Sequence, residues 1–194
     1  MEQFWFYLEL GLKHVLDPNA YDHILFLAAL AIPFSFKKWK SVLVLATIFT
    51  VAHCLSLALS VYEVFTVDVG LIEFLIPVTI LLTALFNGIY VKKGSMHTSL
   101  YLHGLATAFF GFVHGFGFSN HFKMIVAEEE DKIVPLLGFA AGIEVSQVTV
   151  ILALLALSFV LTKVLKLKPS YVILGLSALV ICITIPLLID TFPN

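Results

Sequence analysis

The chain has no arginine and little charge of either sign. Its 11 basic residues are all lysine, set against 13 acids, and charged residues make up 12% of the 194. The formal net charge is −2. That balance excludes the basic footprint of a nucleic-acid binder. The missing guanidinium excludes bidentate phosphate clamps. Cysteine is equally scarce. Cys54 and Cys182 both lie in apolar runs and give neither a disulfide framework nor a thiolate metal spacing. Glu2 and Glu9 stand where a signal peptide needs a basic region, and no small-residue cleavage site follows.

What fills the sequence instead is apolar. Hydrophobic residues make up 60% of it, with 18 phenylalanines. A soluble domain of this length cannot hide so much apolar surface. Several runs approach or exceed the ~20 residues that cross a ~30 Å hydrocarbon core. The expected fold is an all-α, polytopic membrane bundle of six or seven transmembrane helices, forming one domain over residues 1–194. The expected spans are 3–16, 22–36, 41–61, 71–91, 99–118, 134–162 and 170–189. The first is short enough to lie at the interface instead. Eight of the lysines fall in three alternate loops, 37–40, 92–93 and 163–168, while the other loops carry nearly all the acids. The positive-inside rule then puts the lysine loops in the cytoplasm of a bacterial inner membrane. The 17–21 turn, the 62–70 and 120–133 loops and the C-terminus fall outside. The reading leaves room for self-association.

The chain is organised around Gly11 to Leu27, which holds His14, Asp17, Asp22 and His23 in apolar surroundings. Asp17-Pro18-Asn19 interrupts the helical pattern, because proline lacks an N–H and disfavours helix at the residue before it. On one unbroken helix His14 and His23 would sit roughly 180° apart. A hairpin at Pro18 is expected to let the two imidazoles converge. The bland alternative is a polar turn at the water boundary.

Ionisable groups inside a bilayer are costly and usually mark function. His53, His114 and Glu144 lie within spans, and Glu73 begins one. Glu144 is about ten residues from its outer end, roughly 15 Å deep. With His14, Asp22 and His23 these come from five or six helices at similar depth. Imidazole with carboxylate suits a divalent transition metal such as Ni²⁺ or Zn²⁺, and the lack of thiolates argues against Cu⁺. Each residue also has a simpler reading. His53 could be an interhelical hydrogen-bonding histidine served by Thr50 and Ser56 on the same face, or those two could orient it as a ligand. His114, between Gly111, Gly115 and Gly117, marks either tight packing or a ligand with room to reach an ion. Glu144 could bond Gln147 or be kept ionised by a metal. Glu73 could be a helix-start carboxylate. His97 and His103 lie toward the lysine side, away from the cluster. His121 and Glu128 to Asp131 read as a solvated loop. Cys54 reads as packing.

The ordered set His14-x7-Asp22-His23, Phe49-Thr50-x2-His53, Ile72-Glu73, His114-Gly115-Phe116-Gly117-Phe118 and Gly142-Ile143-Glu144-x2-Gln147 resembles the HupE/UreJ family of hydrogenase and urease accessory membrane proteins. The likeness runs from about residue 11 to 147. It implies a polytopic membrane protein whose histidines bind nickel, with a role in metal permeation. It carries a ligand role to His14, Asp22, His23, His53, His114 and Glu144. Glu73, Thr50 and Gln147 are expected to support them. Ala20, Cys54 and Ala140 depart from the family's usual glycine, serine and asparagine.

Two classes of function compete. A permease would capture a divalent ion outside and needs a polar path inward. Only Thr79, Thr83, Asn87 and His103 offer one, and the sequence does not place them on one face. A zinc-dependent intramembrane hydrolase would instead hold the metal with three ligands and an open water position. Asp22 or Glu144 would be its base, and Ser56 would orient a carbonyl of a lipid or lipoprotein. A structural accessory role is the third reading.

Overall fold

The computed structural model describes residues 2–65, 67–92 and 100–193. His97 and the turn expected at Lys93-Gly94 lie outside the described residues. All regular structure among the described residues is helical. The helices are α1 (Glu2–Leu16), α2 (Asp22–Ala31), α3 (Trp39–Val61), α4 (Val69–Lys92), α5 (Leu100–Ile125), α6 (Ile133–Phe159) and α7 (Pro169–Asp190). A 3-10 turn, Phe36–Lys38, precedes α3, and a π-helical turn, Val160–Val164, follows α6. Four segments are long and apolar enough to cross a membrane: Phe36–Val61, Val69–Ile89, Ile133–Val164 and Pro169–Asp190. At 26 residues α5 has the length too, but four glycines and three histidines dilute its apolar content. The chain is an all-α membrane bundle.

The described lysine loops, 37–40 and 163–168, gather at one end of this bundle, and the acidic loops at the other. The directions of α1 and α2 correct the sequence reading. At the acidic end Tyr7 Oη donates to Glu129 Oε1 at 2.9 Å, and Gln3 Nε2 donates to Oε2 at 2.5 Å. From there α1 runs beside α6 in the same direction. Gly138 faces Phe4 and Tyr7, Gly142 faces Leu8 and Leu12, and Ser146 Oγ donates to the Leu12 carbonyl at 3.2 Å. Continuing down α5, Tyr7 meets Phe122, His14 meets Phe118, His23 meets His114, Phe26 meets Phe110 and Phe34 meets His103. So α2 carries on in the direction of α1. The break at 17–21 is no hairpin at the surface. It interrupts one pass inside the thickness of the bundle. Neither half is long enough to cross alone, roughly 22 Å and 15 Å at 1.5 Å per residue; in series they reach across.

Why the break takes this form follows from packing. Gly11 and Gly142 let α1 and α6 touch: a Cβ on Gly142 would overlap the Leu8 carbonyl, and one on Gly11 the Phe139 carbonyl. Small residues at four-residue spacing allow such approach in a bilayer, where helix association rests on close packing rather than on water exclusion. The same device, Gly111 and Gly115, seats α5 on the backbone of α3 at Phe49 and His53. Between these pairs sits α2. Seven of its ten residues are buried, on every side of the helix, as expected of a central element. It ends at Ala31, short of the 22–36 expectation, because Pro33 follows. Helix α5 runs past 118 to Ile125, so His121 is helical rather than in a loop. Glu129, expected to be solvated with its neighbours, is the acceptor that fastens α1.

Candidate metal centre

The broken pass supplies two of the three central histidines. His14 lies on the last turn of α1, and His23 on the first turn of α2. His53 faces them from α3, eight residues or about 12 Å from the acidic end of its helix. A ring nitrogen from each lies within 4.8 Å of the others. Among the described residues these three form the group of histidine, cysteine and carboxylate side chains able to share an ion. Ring centroids are 4.5 Å apart for His14 and His23, 5.7 Å for His14 and His53, and 5.9 Å for His23 and His53.

The donor chemistry fits a metal. Nε2 of His14, His23 and His114, and both ring nitrogens of His53, are buried with no hydrogen-bond partner. Buried polar atoms left unpaired cost about 1–3 kcal/mol each, and a native structure rarely gathers five in one place without a reason. Two of the rings are already set for coordination. His114 Nδ1 lies 3.0 Å from the Phe110 carbonyl. A carbonyl only accepts, so Nδ1 carries the proton and Nε2 presents its lone pair. His23 Nδ1 lies 3.1 Å from Asp22 Oδ1, which also accepts the His23 backbone N–H at 2.9 Å. The carboxylate turns His23 Nε2 inward in the same way, as partners behind ligating histidines commonly do. Bonds of about 2.1 Å to a shared ion would need the three nitrogens roughly 3.4 Å apart, nearer than the 4.8 Å that bounds them here.

The remaining expected site residues occupy different places. His114 touches the group through His23, with centroids 5.2 Å apart, on the lysine side. Asp22 lies behind His23 rather than among the three nitrogens. Glu144 is placed between α3 and α6, where its oxygens accept from Thr47 and Thr50 at 2.6 Å each. Gln147 is buried beside Thr50. Ser56 donates to the His53 carbonyl at 2.8 Å, so its hydroxyl is committed to its own helix. Glu73 is exposed on α4. Cys54 is a free, partly buried thiol packed against the core.

Sequence reasoning missed the aromatic shell. His14 packs on Phe118 and Phe139, which stack on each other at 5.3 Å and 2°. Phe49 and Phe26 stack at 5.0 Å on the lysine side of His23. Eighteen phenylalanines in a membrane chain read as lipid-facing bulk. The signal that could have found the shell is the spacing of Phe110 and Phe118. Each stands four residues from His114 and so shares its side of the helix.

On the lysine side of this shell a cavity of about 290 Å³ lies between α2, α4 and α5. Thr83, Asn87, His103 and Thr107 line it with Ala29, Leu30, Phe86, Ala106 and Phe110. Three of the four polar residues that the sequence scattered toward this end therefore share one space, and Thr107 joins them. Asn87 Nδ2 donates to the Ala29 carbonyl at 2.8 Å, which leaves its amide oxygen as the remaining acceptor. The Thr107 hydroxyl is buried without a partner.

The family model described as HupE / UreJ protein matches residues 1–189. No curated protein and no solved structure matches the chain.

Proposed function

We propose, from the premise that the chain belongs to the HupE/UreJ family, that it captures a divalent transition-metal ion, nickel or a close relative, and passes it through the bundle. The observation that carries this reading is the meeting of His14, His23 and His53 across an interrupted pass, with their unpartnered nitrogens turned together. Broken helices that place their ends at a site in the bundle interior are a recurring device of secondary transporters. Here the C-terminal end of α1 and the N-terminal end of α2 meet, so their opposed dipoles offset each other and the net charge at the break comes from Asp22. Neutral imidazoles replace water around the ion without adding charge, and Asp22 contributes one negative charge behind His23.

The route runs from acidic to lysine end. His14 and the partly exposed Asp22 flank the break. His114 is the next nitrogen inward from His23. Phe26 and Phe110, 5.5 Å apart edge to face, close the way to the cavity of Thr83, Asn87, His103 and Thr107. By the positive-inside rule that cavity faces the cytoplasm. Glu144, with Thr47 and Thr50, supports the α3–α6 contact from which His53 projects.

Purified protein in liposomes tests this. Ni²⁺ or Zn²⁺ is expected to enter, and His23→Ala and His53→Ala are expected to abolish both uptake and stoichiometric metal in elemental analysis. A tightly held zinc with no flux would overturn the permease and favour the hydrolase, in which the three histidines keep a resident ion.

A further inference from the structure

A second cavity, about 400 Å³, opens at the lysine end, away from the histidines. It forms where the chain leaves α2 at Ile32 to Ser35, turns through Phe36 and Lys37, and meets the end of α6, the π-helical turn and the start of α7. Its walls are graded. Ile32, Phe34, Val172 and Ile173 are buried and apolar. Ser35 and Ser158 bring hydroxyls, while the Thr162 hydroxyl donates to the Ser158 carbonyl at 2.8 Å. Lys37 and Lys163 stand exposed on the same cavity. None of the 13 acids lies in the loops at this end, so these ammonium groups have no carboxylate nearby in sequence to neutralise them. Lys38, Lys40, Lys166 and Lys168 raise the local positive potential further.

The backbone is irregular on both sides of the cavity. Pro33 ends α2 early. Opposite, Leu165 N–H reaches the Val160 carbonyl at 3.0 Å, the wide π-type bond, and Lys166 adopts φ 56°. A wide last turn followed by a left-handed residue is a common helix ending, and here it fixes where Lys163 leaves α6. We propose that this cavity binds one anionic phospholipid, its phosphate between Lys37 and Lys163 and the upper part of a chain on Phe34, Val172 and Ile173. Snorkelling lysines alone account for a basic end. They do not account for two lysines over a hydroxyl-lined, apolar-floored pocket, which matches a headgroup above its chain. Basic pockets between transmembrane helices recognise anionic headgroups in this way.

Native mass spectrometry of the full chain, loaded with equal phosphatidylglycerol and phosphatidylcholine, tests the proposal. Phosphatidylglycerol should be retained preferentially. Lys37→Gln and Lys163→Gln should each lower that preference about fivefold, the ratio that corresponds to about 1 kcal/mol per lysine near an anionic surface. Ser158→Phe, which fills the cavity and keeps both lysines, should lower it as well, while Lys13→Gln on the far face should leave it unchanged. Equal retention of the two lipids overturns the proposal. So does a Ser158→Phe variant that keeps full preference, or displacement by inorganic phosphate as effective as displacement by the lipid. Metal content of each variant reports whether the fold is intact.

Discussion

At the residue scale the site depends on which nitrogen each histidine presents. Asp22 holds His23 with Nε2 inward. Replacing it by asparagine keeps size and removes the charge. Asp22→Asn is expected to weaken metal binding roughly 10–100-fold, read by competition with a chelator. Unchanged affinity would mean that Asp22 only accepts the His23 backbone N–H at the start of α2. His114 is expected to separate from the central three. His114→Ala should retain one metal per chain and slow uptake, whereas His53→Ala should lose the metal. The sequence made these identities legible, because histidine inside an apolar run is costly without a role. It did not make their partners legible. Glu144 has the expected depth, yet depth and helical face do not say that two threonines of α3 occupy its oxygens.

At the element scale the decisive feature is the interrupted pass. Asp17-Pro18-Asn19 announces a break, but local chemistry does not say whether the chain turns back or continues. Contacts far along the sequence decide it. Gly11, Gly138 and Gly142 pin α1 beside α6, and Glu129 fastens its start. The helices themselves were largely legible from apolar run length. Besides the early end of α2, the exception is α5, which runs past its apolar stretch because Phe122 packs on Tyr7 and Phe139. The glycine contacts give a paired prediction. Gly115→Ala would push into the His53 carbonyl and Ser56 Oγ. It should cost about 1–3 kcal/mol and displace His53, lowering the thermal midpoint and the metal content together. Gly175→Ala, on α7, meets nothing within 4 Å. It should leave metal content alone and stabilise the helix by up to about 1 kcal/mol.

At the scale of the whole molecule, the direction of α1 sets where both termini lie. With α1 and α2 running in series, the described helices imply six passes and return the chain to the end at which it starts. A surface hairpin at Pro18 would add a pass and put the termini on opposite sides. With Cys54 and Cys182 replaced by serine, single cysteines at Glu2, Asp68, Lys166 and Asp190 separate the two arrangements. In intact cells a membrane-impermeant maleimide should label the Glu2, Asp68 and Asp190 positions, and should reach Lys166 only after the membrane is opened. Labelling of Asp190 without Glu2 would restore the hairpin and detach His14 from the pass that carries it to His23. The positive-inside assignment rests on the same experiment, since it predicts which three positions react first. The histidine group lies nearer the reactive end and the cavity of Thr83, Asn87, His103 and Thr107 nearer the protected one. The labelling pattern therefore also fixes the sense in which a captured ion would have to travel.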